Sequence, residues 1–394
     1  MLSLDRYASL LERPELRKTI IASVVGRLPI GILGLAILLA TKASRGSFGV
    51  AGAVAACYLA GLATMAPVLG RIIDRSGPTR TLIACACAFP TALVALVACL
   101  GADAPSWTAF IFAALAGATF PPITVCLRTF LRQRLAEEAQ LTTAYSLESV
   151  LIETIFIVGP VLVAIFVAYL SAATAVLFAA ACSVTGTMLF LRSPALVHWR
   201  VEPRHDSTGL FGPLSVPGFP ALLLVILAYS GAFGLVEIGV TAFAAEAGHP
   251  ALAGLILGLM SVGSACGGLA YGSRTWRLHL ARQFALMLFL MGVGVAALGL
   301  VVDIALFTSL GIVAGIVMAP ALIMQSMLVA KTAPAHYAAE AFTWSASCLL
   351  TGVGLGLAVG GSILETTRSS AVFGTAGLVA TGAAVIALGA LRRT

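Results

Sequence analysis

The chain has 394 residues, of which 60% are hydrophobic and 10% charged, with a mean hydropathy of +1.05, whereas soluble domains carry roughly 25% charged residues. This excludes a soluble enzyme and describes a protein that crosses a lipid bilayer many times. The 23 Lys and Arg outnumber the 16 Asp and Glu, and in such a chain the excess marks cytoplasmic loops, with no nucleic acid expected as a partner.

In chain order, segment 1–17 is of mixed charge, with Asp5, Arg6, Glu12, Arg13, Glu15 and Arg17, and has no small-residue cleavage site before the first apolar run. No signal peptide is expected. Apolar runs then fall at 18–41, 47–69, 81–101, 106–127, 141–169, 171–191, 219–243, 250–272, 280–302, 304–330, 338–362 and 370–391. Twelve helices of about 20 residues fit the length, so the expected fold is all-α and integral to the membrane, with twelve transmembrane spans. Between Leu141 and Leu191 the only charges are Glu148 and Glu153. One helix over that stretch would be about 75 Å long, so a turn is required near Ser171.

Of the 23 basic residues, 19 fall at the termini or in loops on one side of this topology, while Lys42, Arg45 and Arg368 lie on the other and Arg27 within a span. Both termini are expected in the cytoplasm, with the protein in the cell (inner) membrane. Residues 192–219 are the least apolar long segment and hold Arg200, Glu202, Arg204, His205 and Asp206. They read as a cytoplasmic linker between six-helix halves, 18–191 and 220–394. An internal repeat supports the division: Gly52, Gly61 and Gly70 recur as Gly254, Gly263 and Gly272 at an offset of 202. Ala116-Gly117 with Pro122 recur as Ala314-Gly315 with Pro320, and Ala144-Tyr145-Ser146 as Ala341-Phe342-Thr343. Two pseudo-symmetric halves are an architecture of secondary transporters.

The loop after the second span reads Gly70-Arg71-Ile72-Ile73-Asp74-Arg75-Ser76-Gly77-Pro78-Thr79-Arg80-Thr81-Leu82. It resembles the major facilitator superfamily signature G-x-x-x-D-R-x-G-R-[KR]-x-x-L at Gly70, Asp74, Arg75, Gly77 and Leu82. It departs at Pro78-Thr79, and Arg80 restores one basic charge. The glycines permit a tight turn, Asp74 can accept hydrogen bonds from a neighbouring helix N-terminus, and Arg75 and Arg80 can pair with acidic groups. The resemblance implies the major facilitator fold and a latch that ties the halves together on the cytoplasmic side. In the fifth span, Gly159-Pro160 resembles the start of the antiporter signature of the family's exporters, although Val161-Leu162-Val163-Ala164 lacks its following glycines. The position where many proton-coupled members carry an arginine in the fourth span is Ala113.

Ionisable groups inside spans are functional candidates because their burial is costly. Arg27 lies about 13 Å into the first span, and Glu148 and Glu153 about 10 and 18 Å into the fifth. In the superfamily these spans are neighbours, so Arg27 is expected to pair with Glu148 or Glu153, either as a structural ion pair or as a substrate or proton site. Glu237, with Tyr229 nearby on the seventh span, binds a cation or proton or sits as a solvated rim residue. Glu340 is a first-turn carboxylate facing its helix dipole, Arg128 belongs to the cytoplasmic positive cluster, and Glu137 and Glu138 can pair with Arg71, Arg75 or Arg80. No phosphate-binding loop, nucleophile elbow or metal-ligand spacing occurs, so no cofactor, metal or enzymatic activity is expected. The eight cysteines sit in apolar runs as small buried residues.

The sequence therefore describes a secondary active transporter, expected as a monomer, moving a small molecule by alternating access. Proton-coupled efflux of a drug-like compound or metabolite is the leading form, with Glu153 as the proton site. An organic-anion carrier using Arg27 is the alternative, and a non-transporting receptor or structural protein the reading from another class.

Overall fold

The computed structural model describes residues 5–45, 48–102, 104–135, 137–193, 196, 199, 212–249, 252–274 and 276–390. Most of the expected linker, with Arg200, Glu202, Arg204, His205 and Asp206, and the C-terminal Arg392 and Arg393 lie outside them. The described residues form fifteen α-helices: α1 (Asp5–Glu12), α2 (Pro14–Arg45), α3 (Phe48–Ser76), α4 (Pro78–Gly101), α5 (Ser106–Ala118), α6 (Ile123–Arg134), α7 (Glu138–Tyr169), α8 (Ala172–Leu191), α9 (Phe219–Glu246), α10 (Leu252–Gly272), α11 (Leu280–Leu298), α12 (Ile304–Gly315), α13 (Met318–Thr332), α14 (Ala338–Leu364) and α15 (Ser369–Ala390). Twelve helical stretches are long and apolar enough to cross a membrane, with α5–α6 forming the fourth and α12–α13 the tenth.

Several boundaries differ from the apolar runs, and three of the differences bear on the site. The fourth span is broken over Thr119–Pro122, because Pro121 and Pro122 lack the N–H that continues a helix. It then runs on to Arg134, well past the apolar run, so Arg128 lies inside the helix and not at its last residue. The fourth span's repeat partner is interrupted in the matching place, between Gly315 and Met318. At the N-terminus, α1 forms where only a polar segment is expected; Tyr7 and Leu10 are buried on one of its faces.

With twelve spans, the chain enters and leaves at one face, here termed the terminal face. Two apolar cores show how the halves meet. One runs through the second half and includes, from the first half, only residues near the terminal face, such as Leu16, Ile20, Ile73, Leu82, Phe130, Tyr145 and Phe190. The other belongs to the first half alone and lies towards the opposite face, with Ile32, Ile37, Phe89, Leu93, Ala113 and Val176. The halves are therefore fused at the terminal face and separate beyond mid-span. Past the middle of α7, Phe156, Ile157, Val158, Val161, Ile165 and Val167 are all exposed. At that far face the hydrogen bonds stay within a half: Ser44 donates to Leu100 O, Arg45 to Cys99 O and Ala104 O, and Ser369 to the Glu246 carboxylate.

Candidate functional site

The seam between the halves is closed by two structures related by the internal repeat. At the first, Gly77 adopts φ 79° and Pro78 starts α4, a turn that glycine makes without strain and that proline enters with its φ already set. This aims the end of α3 at the start of α14. Asp74 there accepts the backbone N–H of Ala339 and of Glu340 at 2.9 and 2.7 Å, satisfying two donors that a helix start leaves unpaired, with the charge favoured by the helix dipole. Arg71 donates Nε and Nη2 to Glu340 Oε1 at 3.1 and 2.6 Å. Thus Asp74 accepts from a helix start, but the arginine in the ion pair is Arg71, while Arg75 and Arg80 are exposed. Glu340 is more than a dipole partner: it is fully buried and joined to the other half. Glu138 pairs with Lys331, and Glu137 accepts from Gln140, in place of the arginines considered for them.

Gly70 lies so close to α14 that a Cβ would collide with Thr343 Oγ1 and Ala339 O. At the second seam Gly272 is packed in the same way against Ser146. Gly272 repeats Gly70 and Ser146 repeats Thr343, so the duplication is preserved as a pair of glycine-to-hydroxyl contacts. Ser146 Oγ donates to Gly268 O at 2.6 Å and Thr143 Oγ1 to Gly272 O at 3.0 Å. Where the first seam has Asp74, the second has Trp276 in sequence register. Instead Tyr7 of α1 reaches in, its hydroxyl 2.8 Å from Ser146 Oγ and donating to Leu269 O at 2.9 Å.

Within the spans, Arg27 pairs with Glu148 and not with Glu153. Arg27 Nη1 lies 2.9 Å from Glu148 Oε1, and Arg128 Nε lies 2.8 Å from Glu148 Oε2. Arg27 also donates from Nε to Ser23 O and from Nη2 to Ser23 Oγ, both at 3.3 Å. Arg27 is 0% exposed, Glu148 2% and Arg128 17%, so one carboxylate holds two cations in a layer between the two apolar cores. Glu153 instead turns to the second half, where its Oε1 accepts from Ser264 Oγ at 2.8 Å, with Ser261 alongside. Tyr229 is fully buried and donates to Gln325 Oε1; Gln325 Nε2 in turn donates to Ser345 Oγ at 2.6 Å. Glu237 is exposed. Gly159 packs against the Gly31 backbone, and α7 continues through Pro160 without a break.

Sequence reasoning placed Arg128 among topology signals because its apolar run stops there. A helix extended by one turn puts Arg128, Arg132 and the seam on one face, a signal present in the i, i+4 spacing. The contributions of Ser264, Gln325 and Tyr7 have no local signature. Among the described residues no group of three His, Cys, Asp or Glu is placed to hold a metal ion.

Two repeated six-span halves, fused at one face and parted at the other around buried charges, define a membrane transporter of the alternating-access kind. The chain belongs to the Major Facilitator Superfamily, whose family profile matches residues 19–349. Among solved structures it is similar to a bacterial homologue of the iron transporter ferroportin in an outward-facing state, with a TM-score of 0.80 and 16% identity over 96% of this chain and 99% of that one. It is also similar to the human organic anion transporter MFSD10 (TETRAN), with a TM-score of 0.71 and 17% identity over 94% and 99% of the two chains. At such identities the likeness is one of fold. No curated protein matches the sequence.

Proposed function

We propose that this protein is a proton-coupled exporter of a small drug-like compound or metabolite, with Glu153 as the proton-carrying group and its terminal face in the cytoplasm. The observation that carries this reading is the position of Glu153. It lies about 22 Å along α7 from Glu138, on the seam, and its recorded partners are hydroxyls of the other half, not a cation. Glu148, in contrast, is held by two arginines. A carboxylate whose partners change when the halves separate can load a proton in one state and release it in the other, which couples proton movement to the conformational cycle. Nineteen basic residues on the terminal side support its cytoplasmic placement, and the fusion of the halves there corresponds to a conformation open to the outside.

In proteoliposomes given a pH jump, Glu153→Gln should abolish gradient-driven accumulation of substrate while leaving binding and gradient-independent exchange. A Gln variant that still accumulates substrate against its gradient would move the proton site elsewhere, with Glu237 next. A second reading, an organic-anion carrier, is favoured by the net positive charge of the Arg27–Glu148–Arg128 group; Arg27 itself, however, spends its donors on Glu148 and Ser23.

A further inference from the structure

We propose that the free end of the Arg128 guanidinium binds the carboxylate or phosphate group of an anionic substrate. The inference rests on the reading of this protein as a carrier and names the class of its cargo. Arg27 and Arg128 share the single carboxylate of Glu148, so the group holds one positive charge too many. An unbalanced charge inside a membrane protein is unfavourable and selects for a counter-ion. Arg27 is closed to one: it is 0% exposed, and each of its three nitrogens donates to Glu148 or Ser23. Arg128 is engaged only through Nε. Its Nη1 and Nη2 make no hydrogen bond among the described residues, and the side chain keeps 17% exposure. A guanidinium edge of this kind meets the two oxygens of a carboxylate or phosphate with paired hydrogen bonds.

The placement is that of a transport site. Arg132, one turn further along α6, donates from Nη2 to Ala333 O in the second half at 2.6 Å, so this face of α6 lies on the seam. The second half also carries a buried hydrogen-bonded chain, Tyr229–Gln325–Ser345. The Arg128 fork therefore sits in the buried charged layer of one half, on a helix face that meets the other half one turn away. A singly charged anion would make the group neutral, and a neutral group is easier to enclose when the halves change places. Glu148 acts here as the resident anion that keeps both arginines in position between cargo molecules.

The test is anion-dependent melting of the purified full chain in zwitterionic-lipid nanodiscs, at fixed pH and ionic strength, with benzoate or inorganic phosphate replacing chloride and choline as the cation control. The wild-type melting temperature should rise with the logarithm of benzoate or phosphate concentration, as mass action requires, and not with choline. Arg128→Gln should lose the rise, Glu148→Gln should enlarge it, and Glu153→Gln should keep it, so a failure of proton coupling and a failure of anion binding are read separately. Arg128→Lys keeps the charge without the fork and should need about ten-fold more anion for the same shift; it serves if the Gln variant does not fold. The proposal is overturned if neither anion stabilises the wild type, if the rise survives Arg128→Gln, or if Arg128→Lys leaves the dose response unchanged. A rise produced by phosphatidylglycerol in the nanodisc but by neither soluble anion would assign the fork to a lipid headgroup and overturn it equally.

Discussion

Arg71 and Glu340 lie 2.6 Å apart, one on each half of the molecule, and Glu340 is fully buried while Arg71 is 33% exposed. The pair sits beside the Asp74 cap of α14, so the end of one helix is bound to the start of another by charge and by main-chain hydrogen bonds together. Arg71→Ala would leave a buried carboxylate without its cation, at an expected loss of about 1–3 kcal/mol, read as a lower melting temperature. Asp74→Asn keeps one acceptor oxygen and should fold, but it loses one of two caps and the charge. Cysteines placed at Ala63 and Ser347, joined in this conformation by the Ser347 hydroxyl, should become more reactive from the terminal face, with slower transport. Unchanged reactivity and unchanged transport would remove Asp74 from the latch.

The three repeated glycines divide into three kinds of position. Nothing lies within 4 Å of a Cβ built on Gly52 or Gly254, so alanine there should be neutral. At Gly61 and Gly263 the Cβ meets Ala114 O and Ile312 O inside each half. Alanine at either should reduce stability by about 1–3 kcal/mol through overpacking without shifting the conformational balance. Gly70 and Gly272 face the other half, so Gly70→Ala and Gly272→Ala should shift the population towards opening at the terminal face. Distance measurement between spin labels on the two halves checks this: a full-length shift for Gly61→Ala, or none for Gly70→Ala, contradicts it.

The shared carboxylate sets an order of stabilities. Glu148→Gln leaves two buried cations facing one another and should lose about 3–5 kcal/mol, as expected for a broken buried ion pair. Arg128→Gln leaves a balanced Arg27–Glu148 pair and should lose the least of the three. Arg27→Ala and Glu148→Gln should be strongly non-additive in a double-mutant cycle, while Arg27→Ala and Glu153→Gln should add. Thermal melting in a single detergent gives all of these values, and additivity of the first pair would deny their contact.

Tyr7 fastens the second seam from outside the spans. Tyr7→Phe removes the hydrogen bond to Leu269 O and should lower stability by about 1 kcal/mol, whereas deletion of residues 1–12 should also raise labelling of a cysteine placed at Ser146. A deletion variant as well protected as the full chain would show that the α10–α7 contacts hold the seam alone.

The number of spans, the two halves and their repeat were legible in the sequence because they depend on local quantities: the length of an apolar run against bilayer thickness, and the spacing of glycine along one helix. The hydrogen bonds of Asp74 to a helix start were legible too, since the loop signature puts a carboxylate in the last turn before the Gly77 bend. Partner choice was not. Glu148 and Glu153 are five residues apart, which turns them by about 140° around α7; one faces α2 and α6 within its own half, and the other faces α10 across the seam. Charge counting cannot tell these directions apart, so Arg27 had two equal candidates until the helices were packed. Arg128 reads in the sequence as the end of the fourth span and one of the cytoplasmic positive charges, because hydropathy ends there, and only the tertiary structure, by carrying α6 to Arg134 along the seam, made it part of a buried layer. The same holds for Tyr7: a short polar segment has no fate of its own, and its place between α7 and α10 exists only once the two halves have closed at that face.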